Sequence, residues 1–169
     1  GSLSCTGNGT NAVCYGPGAN ATGHNTTALG AGATAATALS TTDLGATAVG
    51  YNATASGSNA TALGREANAS GNYSTALGYQ ANASGDYSQA SGYQATASGP
   101  GAQASGYQAK ATGTGAQASG DRATASGQDS QASGSFANAN GTGATASGYH
   151  AIANGQAAQA LGFYANASG

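Results

Sequence analysis

Small residues alternate with variable ones along most of the chain, and from Gly50 to Gly169 every seventh residue is glycine. Each heptad reads Gly-x-x-Ala/Ser-x-Ala-x. The run small–x–small–x is a strand pattern of period two, with the fourth and sixth positions on one side and the fifth and seventh on the other. A glycine followed by two variable residues is turn punctuation. A helix is disfavoured, because glycine at every second turn costs about 1 kcal/mol each time. Collagen is excluded, because it needs glycine at every third position. Each heptad is therefore expected to form a short strand plus a turn.

Alternate heptads differ. One class opens at Gly50, 64, 78, 92, 106, 120, 134, 148 and 162, and its second position carries Tyr51, Tyr79, Tyr93, Tyr107, Tyr149 and Phe163. The other class opens at Gly57, 71, 85, 99, 113, 127, 141 and 155 and has no aromatic there. Large aliphatics at the seventh position sort the opposite way, with Val49, Leu63, Leu77 and Leu161 all on the second-class register. The unit is fourteen residues: two strands and two turns. Such a unit predicts an all-β parallel solenoid, or β-roll, whose coils stack about 4.8 Å apart with equivalent residues in ladders. Ala and Ser facing inward predict a flat, nearly solid roll, ~40 Å long from Gly50 onward.

Composition turns this into a stability problem. The 169 residues include 30 glycines, nine tyrosines and two phenylalanines but no Met or Trp, and 5% are charged. Alanine methyls bury little area, at about 25 cal/mol per Å2, against backbone entropy of about 1–2 kcal/mol per residue. A further buried surface is wanted. The second-class outward positions supply it, because none carries a charge, whereas Arg65, Lys110 and Arg122 all fall in first-class heptads. The second-class sheet is expected to pack against other chains through Val49, Leu63, Leu77, Gln89, Gln103, Gln117, Gln131 and Leu161. The first-class sheet is expected to meet solvent.

The second-class phrases "NYSTALG" (Asn72–Gly78), "SNATALG" (Ser58–Gly64) and "LGATAVG" (Leu44–Gly50) resemble the head repeat of trimeric autotransporter adhesins, the YadA-like head, with its Asn-Ser-Val-Ala-Ile-Gly-type motif. The phrase "YQANASG" (Tyr79–Gly85) is similar to the other half of that repeat. The resemblance runs from about Pro17 onward, and from Gln89 to Ser147 the motif's aliphatics are replaced by Gln, Thr and Ser. It implies a left-handed β-roll and a homotrimer with the aliphatic strand toward the three-fold axis. It also implies a head displayed at the bacterial cell surface, with an outer-membrane anchor elsewhere in the full protein. Residues 16–169 read as head repeats, with an irregular insertion at 37–42, and residues 1–15 as an N-terminal cap.

Cys5 and Cys14, the only cysteines, favour a disulfide closing a short loop in an oxidising compartment, with two unpaired thiols as the alternative. Candidate chemistry is otherwise sparse. The Gly-x-Gly steps do not continue into phosphate-binding fingerprints. His24 and His150 have no companions at catalytic or metal spacing, and His150 reads as a solvated turn residue. No catalytic residue, metal or cofactor is expected. With three basic residues the chain is not expected to bind nucleic acid, and without a long apolar run this segment is not expected to touch a membrane. The candidate ligand surface is the ladder of Tyr79, Tyr93 and Tyr107. The leading functional expectation is adhesion to host extracellular matrix, such as collagen, or to host cells. The alternatives are a structural spacer and an ice-binding solenoid, the latter disfavoured by a mixed fifth position: Thr54, Asn68, Asn82, Thr96, Lys110.

Overall fold

The computed structural model describes residues 6–7, 9–37 and 45–169. Among these residues, short strands alternate between two parallel sheets. First-class heptads and their N-terminal equivalents build a 12-stranded sheet, here the first sheet, and the second-class series builds an 11-stranded one, the second sheet. Strand Gln89–Ser91 lies between Thr75–Leu77 and Gln103–Ser105, with Ala90 opposite Ala76 and Ala104. Strand Thr96–Ala97 lies likewise between Asn82–Ala83 and Lys110–Ala111. Each coil thus gives one strand to each sheet, and its successor repeats it fourteen residues on. The chain is an all-β parallel solenoid.

The register changes at one place. Thr27 pairs with Thr47 and Thr34 with Thr54, twenty residues on instead of fourteen. Most of the expected insertion, and Cys5, lie outside the described residues. Within residues 1–15, Thr6–Gly7 pairs with the first sheet and Val13–Tyr15 with the second, in the ordinary fourteen-residue register.

The core is a stack of methyl groups. Ala95 and Ala97 from one sheet and Ala90 from the other are buried, and the same positions are alanine coil after coil. In three coils Ser74, Ser88 or Ser130 takes the fourth position, fully buried and with its hydroxyl unpartnered. Thr26, at the equivalent place, donates its hydroxyl to the Gly23 carbonyl at 3.0 Å.

The turns explain the glycine period. Ala95 N–H donates to the Gly92 carbonyl at 3.3 Å, and Gln94 between them has φ 53°, the left-handed conformation of the third residue in a type II turn. The turn also bonds the previous coil: Gly92 N–H donates to the Leu77 carbonyl and Gln94 N–H to the Tyr79 carbonyl, both at 2.8 Å. First-class Gly92 has φ 132°, which excludes other residues by conformation. Second-class Gly85 does not share that conformation, but a Cβ built on it would fall on the carbonyl oxygen of Gly99 in the next coil. One letter every seven residues therefore answers two constraints: backbone conformation and close stacking of turns together in the first class, close stacking alone in the second. No helix among the described residues is long and apolar enough to cross a membrane.

Candidate interaction surfaces

A roll of two sheets presents two faces and two edges. On the outward face of the second sheet, Leu63 and Leu77 are 39% and 37% exposed, and Leu161 is 64% exposed. Val49 is half-buried in line with them. Between these aliphatic ends, Gln89, Gln103, Gln117 and Gln131 form one exposed column and Ser91, Ser105, Ser119 and Ser133 the parallel one. The four glutamine side chains make no hydrogen bond among the described residues. No charge interrupts this face. The outward face of the first sheet is polar, with half-buried Asn68, Asn82 and Thr96 in one column and exposed Lys110 directly following.

The turns that open at first-class glycines form an aromatic edge. Tyr79 stacks on Tyr93 and Tyr93 on Tyr107, each pair at 5.1 Å between centroids and within 16° of parallel. The Arg65 guanidinium lies 5.4 Å from the Tyr51 ring and 5.7 Å from the Tyr79 ring, so it fills the gap in the column. At the far end Arg122 covers Tyr107 at 5.3 Å and also reaches Phe136 at 5.3 Å. The ring faces are taken up by neighbouring rings and by cations held against their negative π faces. The ladder turns ring edges outward.

A second column runs beside it, one residue on. Arg122 Nε donates to Gln108 Oε1 at 3.1 Å, Gln108 Nε2 to Gln94 Oε1 and Gln94 Nε2 to Gln80 Oε1 at 2.8 Å each, and Gln80 Nε2 to Glu66 Oε2 at 2.6 Å. Every amide in this chain points the same way. A guanidinium, which can only donate, closes one end, and a carboxylate, which only accepts, closes the other. Arg65–Glu66 and Asp121–Arg122 are sequence neighbours of opposite charge. Those pairs exist at 3.2 and 4.0 Å, but both arginines also terminate ladders. The usable signal was the fourteen-residue spacing of Glu66, Gln80, Gln94, Gln108 and Arg122.

The same column corrects the reading of His150. It is not a solvated turn residue: its ring is half-buried, stacked 4.7 Å from Phe136 and 5.0 Å from Tyr164, with Tyr149 edge-on at 4.5 Å. Phe136 and Tyr164 recur fourteen residues to either side of it, so aromatic stacking continues where the glutamine ladder stops.

The opposite edge, opening at second-class glycines, carries a stack the sequence reading left out. Tyr73 and Tyr87 lie 5.1 Å apart and 1° from parallel, and they are 52% and 64% exposed. Both sit in the left-handed region, at φ 55° and 58°. Asn59 occupies the equivalent position one coil earlier, and Gly101 and Gly115 the next two. Cys14, on the second sheet, is disulfide-bonded. Among the described residues no group of three or more His, Cys, Asp or Glu gathers into a possible metal site.

The protein-family model for the YadA head domain repeat (2 copies) matches residues 8–33, 44–67, 69–88, 90–116, 104–130, 118–137, 125–151 and 146–162. No curated protein matches the chain. The matched segments cover most of the chain and follow the fourteen-residue coils. The chain therefore belongs to the family of YadA head domain repeats.

Proposed function

We propose that this chain is the head of a trimeric autotransporter adhesin, a left-handed β-roll displayed at the bacterial surface and carried by an outer-membrane anchor in the full protein. In this reading it binds host extracellular matrix proteins such as collagen, or host cells, and catalyses nothing. The observation that carries the reading is the charge-free outward face of the second sheet, aliphatic toward its ends and unpaired in a single chain. An exposed face that carries no charge along its length and aliphatic side chains toward both ends is suited to association. Three copies with these faces toward a common axis parallel to the roll would bury the leucines and glutamines and leave the polar first sheet outside.

Adhesion fits that arrangement by multiplicity. A roll with about eleven strands per sheet, repeated three times, offers many copies of one polar texture, so weak contacts add through effective concentration. Light scattering of the intact chain is expected to give three times the monomer mass. Solid-phase binding to collagens, fibronectin, laminin and epithelial cells is expected to give salt-tolerant binding to at least one. A folded trimer that binds none would favour the spacer instead, and a monomer would remove the architecture.

A further inference from the structure

Tyr73 and Tyr87 present a problem that a single chain does not solve. A bulky side chain in the left-handed region is unfavourable, and at this place other coils carry glycine (Gly101, Gly115, Gly143) or the smaller Asn59, Asp129 and Ala157. The two rings touch each other and otherwise face outward. Their position relative to the second sheet is informative. Tyr87 precedes strand Gln89–Ser91 by two residues, and Tyr93 follows the end of that strand by two. Tyr73 and Tyr79 flank strand Thr75–Leu77 in the same way. The second sheet is therefore bordered by aromatic residues on both edges, at the same height.

The two edges also correspond in most coils. Where the aromatic edge carries Tyr107, Tyr149 or Phe163, the opposite edge of that coil carries Gly101, Gly143 or Ala157, none with a polar side chain. A Cβ built on Gly101 or Gly143 would meet nothing within 4 Å, so both places are open. Where the aromatic edge is polar, at Arg65 and Ser135, the opposite edge carries Asn59 and Asp129, while Asp121 stands opposite Gly115. The edges lie at opposite ends of the strands and no ring contact joins them among the described residues, so a contact between them takes a second copy.

We propose that the opposite edge of one copy packs against the aromatic edge of the next, with Tyr73 and Tyr87 seated on the neighbouring Tyr79 and Tyr93. The proposal rests on the trimer reading above. In a closed ring with the second sheets inward, unlike edges must meet, and rotation without translation keeps each coil level with its equivalent. Further along, Tyr107 and Tyr149 of one copy then fill the spaces left by Gly101 and Gly143 of the other. The tyrosine ladder becomes a seam between copies, and the ligand-facing surface shifts to the first sheet.

The test places Tyr87→Cys and Tyr93→Cys in one chain and treats it with a short bismaleimide, because positions whose rings touch are too far apart at Cα for a direct disulfide. A covalent trimer is expected on denaturing electrophoresis, with no covalent product from either single variant. A trimer by light scattering that gives no covalent product would overturn the seam and leave the trimer standing. A monomer would overturn both. Tyr87→Ala, Tyr93→Ala and the double variant supply a second measurement on the melting of the trimer. The double variant is expected to lose clearly less than the sum of the single losses, since the two residues share one contact across the seam. Strict additivity, the behaviour of residues apart, would also overturn it.

Discussion

At the residue scale the chain depends on the absence of side chains as much as on their presence. Gly85 and Gly101 look interchangeable in the sequence, yet they answer different demands. A Cβ on Gly85 has no space, because the Gly99 carbonyl of the next coil is already there. Gly101 has open space around it and is constrained only by φ 67°. Gly85→Ala is therefore expected to cost more than about 4 kcal/mol and to abolish the cooperative melt. Gly101→Asn is expected to stay within about 1 kcal/mol of the parent, since asparagine tolerates the left-handed region. Thermal melting followed by far-UV circular dichroism distinguishes them, and equal losses would show that turn stacking is not what selects glycine at position 85.

At the scale of the element, the coil is stabilised by ladders more than by its core. Alanine columns exclude water, but each methyl contributes little, and three serine hydroxyls are buried without partners. The aromatic edge compensates with stacked rings capped by Arg65 and Arg122, and with a one-directional amide chain from Arg122 to Glu66. Aligned amide ladders of this kind also stabilise other stacked β structures. Gln94 sits in the middle of that chain, donating to Gln80 and accepting from Gln108. Gln94→Ala removes both bonds and is expected to cost about 1–2 kcal/mol, at about 1 kcal/mol for each net hydrogen bond. Denaturant melts of the variant would check this. A neutral result would mean that the ladder follows the coil spacing without supporting it.

At the scale of the whole molecule, the two faces are expected to respond differently to the same charge. Gln117 lies on the exposed second-sheet column between Gln103 and Gln131. Lysine there would bring three like charges together near the axis of a trimer, and an unpaired charge in such a place is strongly destabilising. Gln117→Lys is expected to shift the trimer toward monomer in sedimentation and to lower its melting temperature. Asn82→Lys changes a first-sheet column that already accepts Lys110 two coils on, so it is expected to alter neither. If the two variants behave alike, the faces have been assigned the wrong way round. Each coil contacts only its neighbours, so damage at one coil is expected to weaken the roll locally before the whole unfolds.

Much of this architecture was legible in the sequence because the repeat is written twice. Period two within the heptad separates core from surface, and the sorting of Tyr51, Tyr79 and Tyr93 against Val49, Leu63 and Leu77 shows that two heptads make one coil. Sheet membership, register and the buried alanines follow from that periodicity alone, since each position has the same neighbours in every coil. Contacts made by long side chains did not follow in the same way. That Arg65 closes a gap among rings, that His150 is stacked between Phe136 and Tyr164, and that Tyr73 meets Tyr87 depends on which way each side chain leaves its turn. Periodicity identifies the column but not the direction. Only the tertiary structure decided that, because coils about 5 Å apart leave a flexible side chain room to reach up, down or across, and the neighbouring coils settle which.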